Sequence, residues 1–412
     1  MSDKLIDHLF RHQFGKMVSI LTKIFGFDHL ETIEDAVQDT FIQAMRSWQN
    51  AIPENPEAWL TAASKNRVID IFRSIKAEKN RTTKLNIQPD PTTLDELFLD
   101  HEIEDSQLRM IFTACHPRLD PRDQIAFSLR TISGFSIKEI AAALLIPHDT
   151  IKKRLQRSRK VIASENIEFE IPIGQELPTR IDRVLEVIYV IFNEGFHSNK
   201  KEMVIRKELC GEAIRLCKLI LKKPEIRLPK VNALFALMCF HSARLDSKVN
   251  ANNVLINLSQ QDRSKWYFPL IMLGNEAMNQ AVQSTDDFSS YHYEAAIASE
   301  HLRAPTFEAT NWKSIAKWYE QLLQLQYSAY TQLNLAIVYL QLNDLDKAKA
   351  NLDKIKPQDL AQKIFYLFAT KAEYYYLLKN QIESIRHIDL ALAKVVNDSE
   401  RQYFEEKKKS YL

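Results

Sequence analysis

The chain has 412 residues, 45% of them apolar, with 55 basic and 53 acidic side chains and a formal charge of +2, which leaves room for roughly two to four soluble domains. Only seven glycines occur, scattered along the chain, where average usage would supply ~29, so the glycine-rich phosphate loops of P-loop, Rossmann and kinase folds are excluded. Scarce glycine with abundant helix formers predicts an all-α protein, and four cysteines without CxxC spacing predict a reducing, cytoplasmic setting with no disulfide framework and no zinc or other metal site.

In chain order, Glu34 to Trp48 reads as an amphipathic helix, with Ala36, Val37, Phe41, Ala44, Met45 and Trp48 recurring at three and four and Asp35, Gln38, Asp39 and Gln43 opposite. Asn55 as N-cap and Pro56 as first helical residue open a second helix that runs to about Lys76. Its predicted buried face is Val68, Ile71, Phe72 and Ile75; a second stripe carries Trp59, Asn66, Asp70 and Arg73, flanked by Lys65 and Arg67. A ring beside amides and cations on one exposed face suits single-stranded or melted nucleic acid, because bases stack on rings while cations follow phosphates. A plain solvated basic face over a core tryptophan is the competing reading. The stretch from Leu85 to Leu108 carries seven acids and no Lys or Arg, and Asn86 to Thr93 reads as a linker.

Ser133 to Ile162 predicts a helix-turn-helix. Ser136 and Glu139 form a capping box before a short helix with Ile137, Ile140, Ala141 and Leu144 on one face. A turn through Ile146 and Pro147 leads to Asp149, the expected N-cap of a basic helix that buries Ile151, Leu155, Ser158 and Ile162 and exposes Thr150, Lys152, Lys153, Arg154, Gln156 and Arg157. Arg and Lys on such a helix read guanine edges and hold phosphates; a solvated helical hairpin is the alternative. Pro172, Gly174 and Pro178 are expected to interrupt any helix between Glu168 and Pro178. Asn193, Glu194, Gly195 and Phe196 read as a tight turn between helices, with Gly195 at positive φ. Glu194, His197, Glu202 and Glu208, and Cys210, Cys217 and His241, lack metal-ligand spacing and read as structural, so no catalytic residue and no cofactor is predicted.

Tyr330 to Ile355 has the tetratricopeptide pattern at Leu335, Ala336, Tyr339, Ala348 and Leu352, and the set returns 36 residues later as Ala372, Tyr375, Ser384 and Ile388. Tyr291 to Ala304 and Trp312 to Leu325 are expected to stack on these repeats. Such a solenoid offers a concave surface to a protein partner, against the alternative of a plain helical bundle. The longest apolar run, Ala233 to Phe240, is too short to span a bilayer, so no membrane association is predicted.

The N-terminal motifs resemble alternative sigma factors of the extracytoplasmic-function (ECF) class, which have only regions 2 and 4. Glu34 to Trp48 resembles region 2.2, which implies core RNA polymerase binding through Asp35, Gln38, Asp39 and Met45. Pro56 to Ser74 is similar to regions 2.3 and 2.4, which implies −10 promoter binding through Trp59, Lys65, Asn66, Arg67, Asp70 and Arg73, with the loop Gln49 to Asn55 capturing a flipped base. Asp123 to Ala163 resembles region 4 and puts Thr150, Lys152, Lys153, Arg154 and Arg157 on the −35 element.

The runs FTACHP (112–117), VLEVIYVIFNEGFH (184–197), NALFALMCFHSAR (232–244), QDRSKW (261–266) and YHYEAAIASEH (291–301) are similar to a sigma subgroup with a large helical C-terminal extension. That resemblance implies regulation in cis by the extension; the subgroup's usual second cysteine before His-Pro is replaced here by Ala114. The expected division is region 2 over 1–84, an acidic linker over 85–104, region 4 over 105–165, a helical extension over 175–325 and tetratricopeptide-like repeats over 326–412. The competing functions are a helix-turn-helix regulator acting on duplex DNA without polymerase, and a repeat scaffold.

Overall fold

The computed structural model describes residues 2–48, 52–79, 99–144, 146–196, 206–248, 256–283, 287–395 and 398–412. The linker Asn86 to Thr93, His197, Glu202 and residues 49–51 of the expected base-capturing loop lie outside them. The described residues hold helices and no strand, as the composition predicts, and the chain divides into two compact units, Met1–Ile191 and Phe192–Leu412.

In the first unit α1 (Ser2–Phe25) packs against α2 (Leu30–Ser47), α3 (Pro56–Lys79) and α4 (Asp100–Ala114). The core is built from Phe14, Met17, Ile20 and Leu21 of α1, Ile33, Val37 and Phe41 of α2, Leu60 and Val68 of α3, and Leu108 and Phe112 of α4, all 2% exposed or less. Asn55 caps α3 as expected, accepting from Ala58 N at 3.0 Å. The buried face of α3 is Leu60, Ser64 and Val68, with Ile71 and Phe72 half-buried; Phe72 is held by stacking on Phe25 at 4.6 Å and by the edge of His29. The side chain of Ile75 lies outside the described part of the structure.

Helix α5 (Pro121–Thr131) is capped by Asp120, which accepts from Arg122 N at 2.8 Å. The turn after α5 lies so close to α1 that a Cβ on Gly15 would stand 1.8 Å from the Ile132 carbonyl oxygen. Gly134 follows in the left-handed region (φ 69°), where a side chain is strained, and a Cβ there would stand 3.0 Å from Phe14.

Helices α6 (Ile137–Leu144) and α7 (His148–Ser164) form the predicted helix-turn-helix and pack on α5. The Ser136–Glu139 box is formed in both directions, at 2.8 and 3.2 Å. Asp149 is not the cap of α7. The helix begins at His148, two residues earlier than that cap would start it, behind Pro147, whose fixed φ of −56° leads into it and whose carbonyl accepts from Thr150 N. Asn166 closes α7 in the left-handed conformation, with Ile167 N donating back to the Ile162 carbonyl.

The expected helix break at Glu168 to Pro178 is present up to the start of α8, and only Pro178 departs from it. This segment returns to α4, where Arg109 donates to the Phe169 carbonyl, and Pro178 sits in the first turn of α8 (Leu177–Phe196). A proline there sacrifices no intrahelical bond. Gly174 does have the expected positive φ, 63°.

The second unit contains α9 (Lys207–Leu221), α10 (Pro229–Ser242), α11 (Phe268–Gln283) and α12 (Ser290–Arg303). Helix α10 is apolar all round from Ala233 to Phe240 and packs against the other three, as a helix without a polar face must. Gly274 of α11 is required by the Phe240 ring, which a Cβ would meet at 2.6 Å.

Next come α13 (Trp312–Leu325), α14 (Ala329–Gln341), α15 (Leu345–Asp353), α16 (Ile364–Leu377), α17 (Gln381–Lys394) and α18 (Asp398–Tyr411). The pairs α14–α15 and α16–α17 carry the 36-residue repeat into local geometry. Asn343 and Lys379 both turn through positive φ, 55° and 58°, and the following Asp344 and Asn380 both cap the next helix at 3.1 and 3.2 Å. The expected small and aromatic positions face the core, Ala336, Ala348, Ala372, Ser384 and Ile388 fully buried and Tyr375 half-buried. Helix α13 stands between α12 and α14, as expected.

Candidate nucleic-acid interface

Helix α2 buries Ala36, Val37, Phe41 and Ala44 and leaves Asp35, Gln38 and Asp39 exposed. Met45, counted in the apolar stripe by the sequence pattern, is 42% exposed and shares the outer face with Ile42 at 40%. The outer face of α2 therefore alternates carboxylates with two unpacked aliphatic side chains, a pattern suited to a protein partner.

On α3, Asn66, Arg67, Asp70 and Arg73 are exposed, and Lys65 and Trp59 are half-buried. The Trp59 ring meets the buried Trp48 edge to face at 5.3 Å, so one side of it is anchored in the core. Arg67 Nη2 donates to Asp39 Oδ2 at 3.2 Å, joining the expected polymerase-binding and −10-binding faces. Both partners are more than half exposed, so the pair adds little stability. Arg73 lies 3.6 Å from Asp70 on the same face.

On α7 the expected Ile151, Leu155, Ser158 and Ile162 are buried, Lys152, Lys153 and Gln156 exposed, and Thr150 half-buried. At about 100° per residue, Thr150, Lys153, Arg154 and Arg157 fall on one arc, while Lys152 falls on the far side with Gln156. Two of the expected DNA-contacting cations are already engaged. Arg154 Nη1 donates to the Arg122 carbonyl at 3.3 Å. Arg157 grips the buried Asp123 carboxylate with both Nε and Nη2, the latter at 2.6 Å from Oδ1, and the bond holds the guanidinium protonated.

A further cluster has no counterpart in the sequence reading. Glu34 of α2, only 1% exposed, accepts from Arg130 of α5 at 3.1 Å and from Arg159 of α7 at 2.9 Å. Burial pushes the Glu34 carboxyl up from its usual range, while the two guanidinium groups pull it down. Lys23 and Glu102 form a second link, between α1 and α4. Periodicity gave no sign of these pairs, because a buried carboxylate within an apolar stripe is indistinguishable in sequence from a solvated one.

The expected turn at Asn193, Glu194, Gly195 and Phe196 is instead the last turn of α8, and Gly195 has no positive φ. Its glycine is needed for proximity, since a Cβ would meet the Arg206 carbonyl oxygen at 2.8 Å and the Cys210 Sγ at 2.9 Å. Burial raises the Glu194 carboxyl, opposed by Arg206. All four cysteines are buried, and desolvation pushes the thiols of Cys115, Cys210 and Cys239 up to about 12. Among the described residues no cluster of His, Cys, Asp or Glu could hold a metal, and no helix is long and apolar enough to cross a membrane.

Residues 9–78 match the model of Sigma-70 region 2 and residues 109–162 that of Sigma-70, region 4. Residues 180–282 match a family of unknown function, DUF6596. The chain is 30% identical over 392 residues to an uncharacterized protein of Rhizobium meliloti (strain 1021), covering 92% of this chain and 89% of that one. It is 29% identical over 154 residues to the ECF RNA polymerase sigma factor SigE of Mycolicibacterium smegmatis, covering 37% of this chain and 58% of that one. No solved structure matches it. With both DNA-binding regions matched in order, and a helical second unit following them, the chain belongs to the extracytoplasmic-function group of the sigma-70 family and carries a C-terminal extension.

Proposed function

We propose that this sigma factor docks on core RNA polymerase through the outer face of α2, with Asp35, Gln38, Asp39 and Met45 as contacts and Ile42 beside them. The α3 stripe of Trp59, Lys65, Asn66, Arg67, Asp70 and Arg73 captures the melted −10 strand. Helix α7 meets the −35 duplex, Lys153 and Thr150 reaching it directly, while Lys152 contacts a flanking phosphate. Arg154 and Arg157 belong to the same face and are oriented by Arg122 and Asp123. The observation that carries this reading is the segregation of exposed groups, acidic and aliphatic on α2 and basic on α3 and α7, on helices whose opposite faces are all core. The factor performs no covalent chemistry in this scheme; binding energy is spent on local melting. The division into region 2 (1–84), region 4 (105–165), helical extension (175–325) and repeats (326–412) is kept, with support from the matched ranges.

The extension regulates the factor in cis, and its repeats offer a surface to a protein partner. A groove of about 460 Å³ between α13, α14 and α15, lined by Glu320, Tyr339, Lys347 and Lys354 among others, supports the latter role.

Transcription in vitro with core polymerase tests the reading. The full chain is expected to direct initiation at its promoter, and promoter duplex bound equally well without core would leave the duplex-only regulator standing. A chain ending after α8 is expected to change the output of that promoter; identical output would remove the regulatory role of the extension.

A further inference from the structure

Four sequence runs that the polymerase and promoter roles do not use converge in the second unit. Phe196 is the second-to-last residue of the first run, His241 and Arg244 belong to the second, Arg263 to the third, and His301 ends the fourth. Together with Lys248, just beyond the second run, they bring three cations together. Lys248 Nζ donates to the Phe196 carbonyl at 2.6 Å and lies 3.2 Å from the centre of its ring. Arg244 Nη2 lies 3.3 Å from His241 Nδ1. Arg263 packs its guanidinium over the Trp266 ring at 4.5 Å and donates through Nη1 to the carbonyls of His301 and Ala304, at 2.8 and 2.6 Å.

Among the described residues the cations lack a matching counter-charge. No carboxylate among the described residues acts on Arg244 or Lys248, and the one acting on Arg263 is the solvent-exposed Glu308. Arg263 Nη2 and His301 Nδ1 are both sealed from solvent and have no hydrogen-bond partner among the described residues. Arg244 is within electrostatic reach of Lys248, Arg263 and His301, and burial with this mutual repulsion pushes Arg244 down to about 10, Lys248 to about 7 and His301 to about 4. Burying like charges together without an anion is costly, and guanidinium forks match the oxygens of phosphates and carboxylates.

We propose that Arg244, Lys248 and Arg263, with His241 and His301, form a binding site in the extension for a small, multiply charged oxyanion, a phosphorylated or polycarboxylate molecule. A single negative charge would leave most of the cluster uncompensated, so ligands carrying two or more charges are preferred. The site stands independently of whether the extension regulates promoter output.

The test uses the full chain with pyrophosphate and citrate as probes and sodium chloride of equal ionic strength as reference, read by calorimetric titration. Saturable binding of either probe is expected, and which one binds more tightly distinguishes phosphate from carboxylate ligands. Lys248→Met and Arg244→Gln are each expected to weaken it at least tenfold. The double variant Lys152→Ala/Lys153→Ala, which lowers the charge of the DNA-binding helix, is expected to leave it intact. No binding beyond the chloride reference, or binding lost in the α7 variant and retained in the other two, would overturn the proposal. Should either cluster variant fail to fold, mass spectrometry of amine labelling on the unaltered chain decides. The tighter-binding probe is expected to protect Lys248 several-fold, and equal labelling with and without it overturns the site.

Discussion

Arg157 and Asp123 form a two-pronged ion pair across 34 residues of chain, with the arginine largely in solvent and the aspartate only 2% exposed. A side chain expected to meet DNA thus also fastens α7 to the first turn of α5. Arg157→Ala is expected to lower the stability of the first unit by about 1–2 kcal/mol, a value discounted for the arginine's exposure, because it strands a buried carboxylate. Lys153→Ala is expected to leave stability unchanged. Chemical denaturation followed by circular dichroism separates the two, and an unchanged midpoint for Arg157→Ala would show that the pair is not maintained in solution.

On promoter duplex, measured with core polymerase across a salt series, Lys152→Ala and Lys153→Ala should differ. Lys152 is assigned a phosphate, so its loss is expected to weaken all sequences alike and reduce the slope of log affinity against log salt by about 1. Lys153 is the residue proposed to face the duplex, and its loss is expected also to relax preference for the −35 sequence. Identical behaviour would contradict the helical arc assigned to α7.

Glu34 holds two arginines that come from different helices. Glu34→Ala leaves Arg130 and Arg159 facing each other with little solvent, and is expected to destabilise the first unit by about 3 kcal/mol. Glu34→Gln keeps the shape and one acceptor and is expected to lose less. Thermal unfolding would expose the contrary result, two variants with equal and negligible effect.

Two glycine-to-alanine substitutions should act in opposite directions. Gly15→Ala places a carbon on the Ile132 carbonyl and forces the turn after α5 away from α1, so a well-folded, equally stable variant is not expected. Gly211→Ala, inside α9 with nothing within 4 Å of the new carbon, is expected to add about 0.5–1 kcal/mol from backbone entropy and helix propensity. Melting temperatures of the two variants check both signs.

Lys248 gives the second unit a distinctive pH dependence. Its ammonium faces the Phe196 ring and carbonyl, Arg244 and the Cys210 thiol, and its pKa falls from 10.5 to about 7. Between about pH 7 and 10.5 the unfolded chain holds this proton more firmly than the folded one, so stability rises with pH through that window and the penalty is complete below it. The unfolding transition of the second unit is expected to shift upward from pH 7 to pH 9 in the absence of oxyanions, and Lys248→Met should flatten that rise. An equal rise in the variant would assign the effect to other groups.

The helical class, the capping residues Asn55 and Ser136, the buried stripe of α7 and the 36-residue repeat were all legible in the sequence, because each depends on local spacing. Local signals failed where two elements compete for one residue. Asp149 looked like a cap, yet the rigid φ of Pro147 started the helix earlier. Gly195 looked like a turn, yet its missing side chain serves the approach of Cys210 and Arg206. The Glu34 cluster and the Arg157–Asp123 pair join residues 34 to 125 positions apart, and no periodicity encodes such contacts.

The four buried thiols bear on how the protein can be studied. With each cysteine shielded by packing and held protonated near neutral pH, cysteines introduced at exposed positions such as Arg118 and Ile382 would be the fast-reacting sulfurs among the described positions. Paired fluorophores placed one in each unit could then track the separation of the units as polymerase, promoter or oxyanion is added, without first removing the native cysteines.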